Sequence, residues 1–161
     1  MKQIFSLAAV TIASFLFLGS SCNKSEVVPC TAAEPSTEEA AILAYATLKN
    51  YTVLKHSSGI YYQIVNPGTG NTPTATSNVR VQYTGKLLND SQFDANTTPG
   101  GVSFNLSGVI QGWTIGIPLI KSGGVIRLLI PSKYGYGCTG SGGSIPANSP
   151  LYFEVSLLAV F

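Results

Sequence analysis

The stretch VIQGWTIGIPLIKSGGVIRLLIPSKYGYG, residues 109–137, holds the chain's single tryptophan, Trp113, in a short apolar run broken by Gly112, Gly116 and Pro118. Its two halves follow different periods. In VIRLLI, Ile126, Leu128 and Ile130 share one face, the period of two expected of a half-buried strand. Around Trp113 no such alternation exists. An interior glycine costs a helix about 1 kcal/mol and an interior proline about 3 kcal/mol, so propensity leaves open whether this half is a short helix ending near Pro118 or irregular chain. Tryptophan used as core filler does not need small neighbours. Tryptophan used as the floor of a pocket has a reason for them.

Working outward, the period of two recurs on both sides. GIYYQIV places Ile60, Tyr62 and Ile64 on one face; NVRVQYTG places Val79, Val81 and Tyr83 on one face with Arg80 and Gln82 on the other. SFNL aligns Phe104 with Leu106, and LYFEVSLLAV aligns Leu151, Phe153, Val155 and Leu157. Turn signals separate these runs: NPGTGNTP, LND, TTPGG, KSGG and TGSGGS. Five short half-buried strands predict an antiparallel sheet. A sheet with one apolar face needs a cover, and the internal candidate is the Trp113 segment.

The N-terminal third is organised differently. Lys2 followed by the apolar run Ile4–Leu18 reads as an export signal over residues 1–21, too short for the roughly 20 residues of a membrane-spanning helix. LFLGSSC resembles a bacterial lipobox, with Gly19 where that motif prefers a bulky aliphatic residue. The resemblance implies that Cys22 is lipidated and the bilayer a partner through its acyl chains, the alternative being ordinary signal cleavage near the same point. Residues 22–35 read as a tether. STEEAAILAYATLKN opens on a capping-box pattern, Ser36 with Glu39, predicting a helix from about Thr37 to Asn50 within a segment 36–56. Whether that helix packs on the domain at 57–161 or spaces it from the lipid stays open.

Composition excludes several functions. Net charge is +2 and 10% of the 161 residues are charged, against about 25% in ordinary soluble domains. Lysines and arginines are nowhere clustered, so nucleic-acid binding has no electrostatic footing. No CxxC occurs and His56 is the only histidine, which argues against a zinc site and offers no Ser/His/Asp set. In an exported chain Cys30 and Cys138 either pair, tying the tether to a late loop, or stand as two unrelated small residues. Two cysteines give no framework, and the second reading is preferred.

Three blocks in order, VQYTGKLLNDSQFD, FNLSGVIQGW and IPSKYGYGCTGSGGSIPANSPLYFEVSLL, resemble an FKBP-type peptidyl-prolyl cis–trans isomerase from about Val79 to Leu158. SSGIYYQIVNPGTGNTP resembles the strand and turn preceding these blocks in bacterial members. The resemblance implies an α+β fold, a curved five-stranded antiparallel sheet wrapped around a short helix, here with an N-terminal helix and a lipoprotein tether. It makes the Trp113 segment that helix and Trp113 the pocket floor. The other pocket positions it implies are Tyr83, Phe93, Asp94, Phe104, Val109, Ile110, Tyr136, Ile145 and Phe153. Two departures stand out. Ser141 and Ser144 occupy rim positions where the family often has a polar or imidazole group and an apolar wall. ANTTPGGVS lacks the arginine that pairs the aspartate in some members, which leaves the Tyr83 hydroxyl as a partner for Asp94.

The resemblance further implies a cofactor-free, monomeric folding helper acting on proline-containing segments of exported polypeptides from a membrane anchor in the cell envelope. The competing expectation is a module that binds proline peptides with little catalysis. An intact aromatic set favours the enzyme.

Overall fold

The computed structural model describes residues 29–161; the expected export signal over 1–21 and the expected lipidation position Cys22 lie outside the described residues. In chain order the elements are α1 (Pro35–Leu48), β1 (Leu54–Lys55), β2 (Tyr61–Asn66), β3 (Asn78–Leu87), β4 (Gln92–Asn96), β5 (Val102–Asn105), α2 (Gln111–Gly116), β6 (Gly124–Ile130) and β7 (Leu151–Val160). The strands form one sheet in the order β1-β2-β6-β7-β3-β4, and β5 pairs with β3 beside β4. Every pairing is antiparallel.

The sheet has seven strands, two more than the periodicity predicts. β1 is a two-residue pairing, too short to show a period. β4 pairs by its backbone with Tyr83–Lys86 of β3, but only Phe93 among its five side chains is apolar and substantially covered, so no alternation marks it.

The inner face is the one the alternation foretells. Val79 and Val81 of β3, Ile126, Leu128 and Ile130 of β6, and Leu151, Phe153, Val155 and Leu157 of β7 are buried in one cluster with Trp113 and Ile117. Burying each such side chain contributes about 1.5–3 kcal/mol. The cover is the short helix α2, continued by a 3-10 turn at Ile117–Leu119 that accommodates Pro118 at its start. The glycines let it approach the sheet. A Cβ on Gly112 would lie 2.5 Å from the Ile130 side chain, and one on Gly116 would lie 2.5 Å from Leu128.

The opposite face is covered too. Tyr61, Leu129 and Tyr152 alternate with inward-facing residues of the same strands and pack against Ile42, Tyr45 and Ala46 of α1. The N-terminal helix therefore packs on the back of the sheet. It starts two residues before the expected capping box: Glu34 is the N-cap and Pro35 takes the first turn, where proline's fixed φ and missing N–H suit a helix start. Glu39 is drawn elsewhere, accepting from Lys55 Nζ at 2.8 Å and from the Tyr61 hydroxyl.

Cys30 and Cys138 form a disulfide with Cα atoms 5.7 Å apart, which corrects the preferred reading of two unpaired residues. The partners are 108 positions apart, and only the return of the N-terminal segment across the late loop brings them together.

Candidate active site

Trp113 lies in the first turn of α2, held by its backbone N–H to the Ile110 carbonyl at 2.9 Å. Three rings from three different strands surround its indole. Tyr83 from β3, Phe153 from β7 and Phe104 from β5 have centroids 5.0, 5.3 and 5.8 Å away, at interplanar angles of 82°, 81° and 82°. Edge-to-face pairs are favourable for aromatic quadrupoles, about 0.5–1.5 kcal/mol each beyond their burial. Three rings perpendicular to a common floor make a box. With Asp94, Gly108, Val109, Ile110 and Tyr136 they line a cavity of about 300 Å³, at the small end of ligand pockets.

Asp94 accepts a hydrogen bond from the Tyr83 hydroxyl at 2.6 Å, the partner left to it by the missing arginine. Burial, and then this bond, push the Tyr83 phenol well above its ordinary value. Burial, and then the charge of Asp94, raise Tyr136 as well. Both phenols are neutral at physiological pH. Tyr83 commits its proton to Asp94, whereas the Tyr136 hydroxyl and the Ile110 backbone N–H donate to no group among the described residues. Both donors, like the buried indole N–H of Trp113, are thus free on residues that line the cavity.

Eight of the ten expected positions line this cavity: Tyr83, Asp94, Phe104, Val109, Ile110, Trp113, Tyr136 and Phe153. Phe93 and Ile145 do not. Phe93 stands behind the wall, its ring 5.5 Å from Phe153 at 84°. Gly85 makes room for that contact, since a Cβ there would lie 2.6 Å from Phe153 and 2.9 Å from Phe93. Ile145 is buried in the core, and its backbone bridges to Ser141. Gly108 lines the cavity and was not anticipated, because a residue without a side chain carries no apolar signal. Ser141 and Ser144 are exposed and do not line the cavity. His56, bonded to Ser58 at 2.9 Å, does not line it either.

The site is thus an antiparallel sheet covered on one face by a short helix, with an aromatic cavity lined by residues of both. The family described as FKBP-type peptidyl-prolyl cis-trans isomerase matches residues 70–158, more than half of the chain. A probable FKBP-type peptidyl-prolyl cis-trans isomerase of Haemophilus influenzae is 45% identical over 113 residues, covering 70% of this chain and 47% of that protein. FkpA of Escherichia coli K12, also described as an FKBP-type peptidyl-prolyl cis-trans isomerase, is 45% identical over 113 residues, covering 70% and 42%. Among solved structures, a peptidyl-prolyl cis-trans isomerase from Pseudomonas syringae superposes with a TM-score of 0.67 at 34% identity, covering 81% of this chain and 98% of that one. The Escherichia coli FkpA crystal structure gives 0.68 at 41% identity, covering 78% and 60%. This chain belongs to the FKBP-type peptidyl-prolyl cis–trans isomerase family. It spans under half the length of these two curated relatives.

Proposed function

We propose that the chain is an active peptidyl-prolyl cis–trans isomerase that seats the proline ring of an X-Pro segment on Trp113, between Tyr83, Phe104 and Phe153. The observation that carries the reading is the box itself, three rings nearly perpendicular to one indole and 5.0–5.8 Å from it.

The reaction rotates an amide whose barrier of about 18–20 kcal/mol comes from C–N double-bond character. A catalyst has to bind the twisted amide more tightly than either planar form. The planar amide is the more charge-separated, so an apolar box destabilises it more than the twisted one. In this reading the Ile110 N–H and the Tyr136 hydroxyl hold carbonyl oxygens of the substrate while the bond turns between them. Asp94 accepts from Tyr83 and so fixes that ring's orientation; it transfers no proton.

The reading includes a location. Cys22 carries the lipid anchor, and the domain acts as a monomer on exported polypeptides, outside the reducing cytoplasm. The Cys30–Cys138 disulfide supports an oxidising compartment. No helix among the described residues is long and apolar enough to cross a membrane.

The test is isomerisation of a proline-containing tetrapeptide by the parent, Trp113→Ala and Phe104→Ala, each verified as folded by circular dichroism. The expected result is clear acceleration by the parent and a fall in kcat/KM of at least about tenfold in both variants. A folded parent with no acceleration overturns the enzyme and leaves a binding module.

A further inference from the structure

Residues 30–38 precede the stretch that defines the family, yet they are bonded at four places to the loop that carries Tyr136. Cys30 is disulfide-linked to Cys138. The Ala33 N–H donates to Asn148 Oδ1 at 3.3 Å. Glu34 accepts from Lys133 Nζ at 2.9 and 3.0 Å. Glu38, 8% exposed, accepts from the Ser132 N–H at 2.7 Å and from its hydroxyl at 2.5 Å.

Ser132 is fully buried and is the node of this arrangement. Its carbonyl accepts from the N–H groups of Gly135 at 2.9 Å and Gly137 at 2.8 Å, the residues on either side of Tyr136. The other foot of the loop is tied in the same way. Asn148, which takes the Ala33 N–H on its side chain, donates its own N–H to the Gly137 carbonyl at 2.8 Å. The loop is held by its own backbone bonds together with these N-terminal contacts. Gly135, Gly137, Gly140, Gly142 and Gly143 lie within nine residues, and glycine leaves the backbone the widest choice of conformations.

The four contacts are unequal. Glu34–Lys133 is an exposed pair, which typically contributes little. Glu38 makes two charge-assisted bonds in a buried setting, and its removal leaves a buried N–H and a buried hydroxyl without a partner.

We infer that Glu38 is a positioning residue for the aromatic pocket: acting through Ser132, it holds Tyr136 against the cavity. Residues 30–38 are therefore part of the binding machinery although they lie outside the family's own stretch. This rests on the proposed peptide site.

The experiment uses the full chain with Glu38→Ala, Glu38→Gln and, as a matched control, Glu39→Ala. Glu39 sits on the same helix and also accepts two side-chain bonds, but from Lys55 and Tyr61 rather than from the loop. Tetrapeptide isomerisation and backbone amide exchange are measured on each. Glu38→Ala is expected to raise KM about fivefold or more with kcat within about twofold. The Gly135, Gly137 and Asn148 amides should exchange about tenfold faster while β3, β6 and β7 stay as in the parent. Glu38→Gln should recover most of the KM, since its amide can both accept from the Ser132 N–H and donate to its hydroxyl. Unchanged KM in Glu38→Ala overturns the inference, as does a rise matched by Glu39→Ala. If the parent does not isomerise the tetrapeptide, the proposed activity fails, and the inference is decided by peptide Kd: a Kd unchanged in Glu38→Ala overturns it.

Discussion

Replacing Cys30 and Cys138 together by serine removes a cross-link between residues 108 apart and leaves the noncovalent contacts between the N-terminal segment and the late loop in place. The folded state changes little, so the effect falls on the unfolded chain. The chain-entropy relation for a loop of that length gives about 4.8 kcal/mol at 25 °C. Unfolding entropy of about 2.1 cal/mol/K per residue gives roughly 0.28 kcal/mol/K over residues 29–161. The expected drop in Tm is therefore about 17 °C by calorimetry. A second signature separates this cause from a lost native contact. The cross-linked unfolded chain exposes less surface, so the urea m value should rise in the serine variant. A Tm drop below about 4 °C with an unchanged m value would refute the entropic reasoning. Reaction of Cys30 and Cys138 with a thiol reagent in the denatured, unreduced protein would refute the cross-link itself.

Gly112→Ala sets a helix-propensity gain of about 1 kcal/mol against overpacking of about 1–3 kcal/mol. The new Cβ would meet Ile130 Cγ2 at 2.5 Å and Cδ1 at 2.6 Å, on both branches of that side chain, so no single rotation relieves it. The balance is a net loss of up to about 2 kcal/mol in urea melts, and a raised midpoint would contradict the close approach. Phe93→Ala removes the edge contact behind Phe153 without opening the cavity wall; kcat/KM should fall less than in Phe104→Ala, and an equal or larger fall would place Phe93 in the pocket. Tyr45, Tyr83, Tyr136 and Tyr152 are all raised, with burial the first cause in each. A raised phenol stabilises the fold fully below its unfolded value near 10 and loses that contribution as pH rises through its folded value. Phenolate absorbance should accordingly lag behind that of free tyrosine above about pH 10, with stability falling as it appears; simultaneous titration of every tyrosine near the free value would refute the burial.

The inner face of β3, β6 and β7 was legible because Val79/Val81, Ile126/Leu128/Ile130 and Leu151/Phe153/Val155/Leu157 alternate over long runs. The cover on the back was legible in principle. Leu128-Leu129-Ile130 and Leu151-Tyr152-Phe153 are continuous apolar runs, the mark of strands covered on both faces, and α1 is what covers them. The start of α1 was misread because proline at the first turn outweighed the capping box, and Lys55 and Tyr61 took the Glu39 carboxylate. β4 left no periodic trace because Phe93 is its only apolar side chain that is substantially covered. In the site, the ordered blocks around Tyr83, Trp113 and Tyr136 were enough to place eight lining residues. Pattern could not show that Gly85 lets Phe93 stand behind Phe153 rather than beside it, nor that a segment read as a tether returns to meet Ser132, Cys138 and Asn148.

Trp113 bears on what the fold gives up for this pocket. Its indole Nε1 is buried and has no hydrogen-bond partner among the described residues, and an unpaired buried donor costs about 1–3 kcal/mol. Phenylalanine would avoid that cost while still packing between Gly112 and the core. What phenylalanine lacks is width: three rings stand at 81–82° on the indole, at 5.0, 5.3 and 5.8 Å, and a single six-membered ring leaves part of that floor open. In Trp113→Phe the loss of buried ring area and the relief of the orphan N–H oppose each other, so stability should change by less than about 1.5 kcal/mol in urea melts. KM for a proline tetrapeptide should nevertheless rise about threefold or more, because in the proposed pose that floor is what the proline ring sits on. A variant destabilised by more than about 3 kcal/mol would show that the N–H costs the fold nothing. A stable variant with the parent's KM would show that the width of the floor is not what the pocket uses.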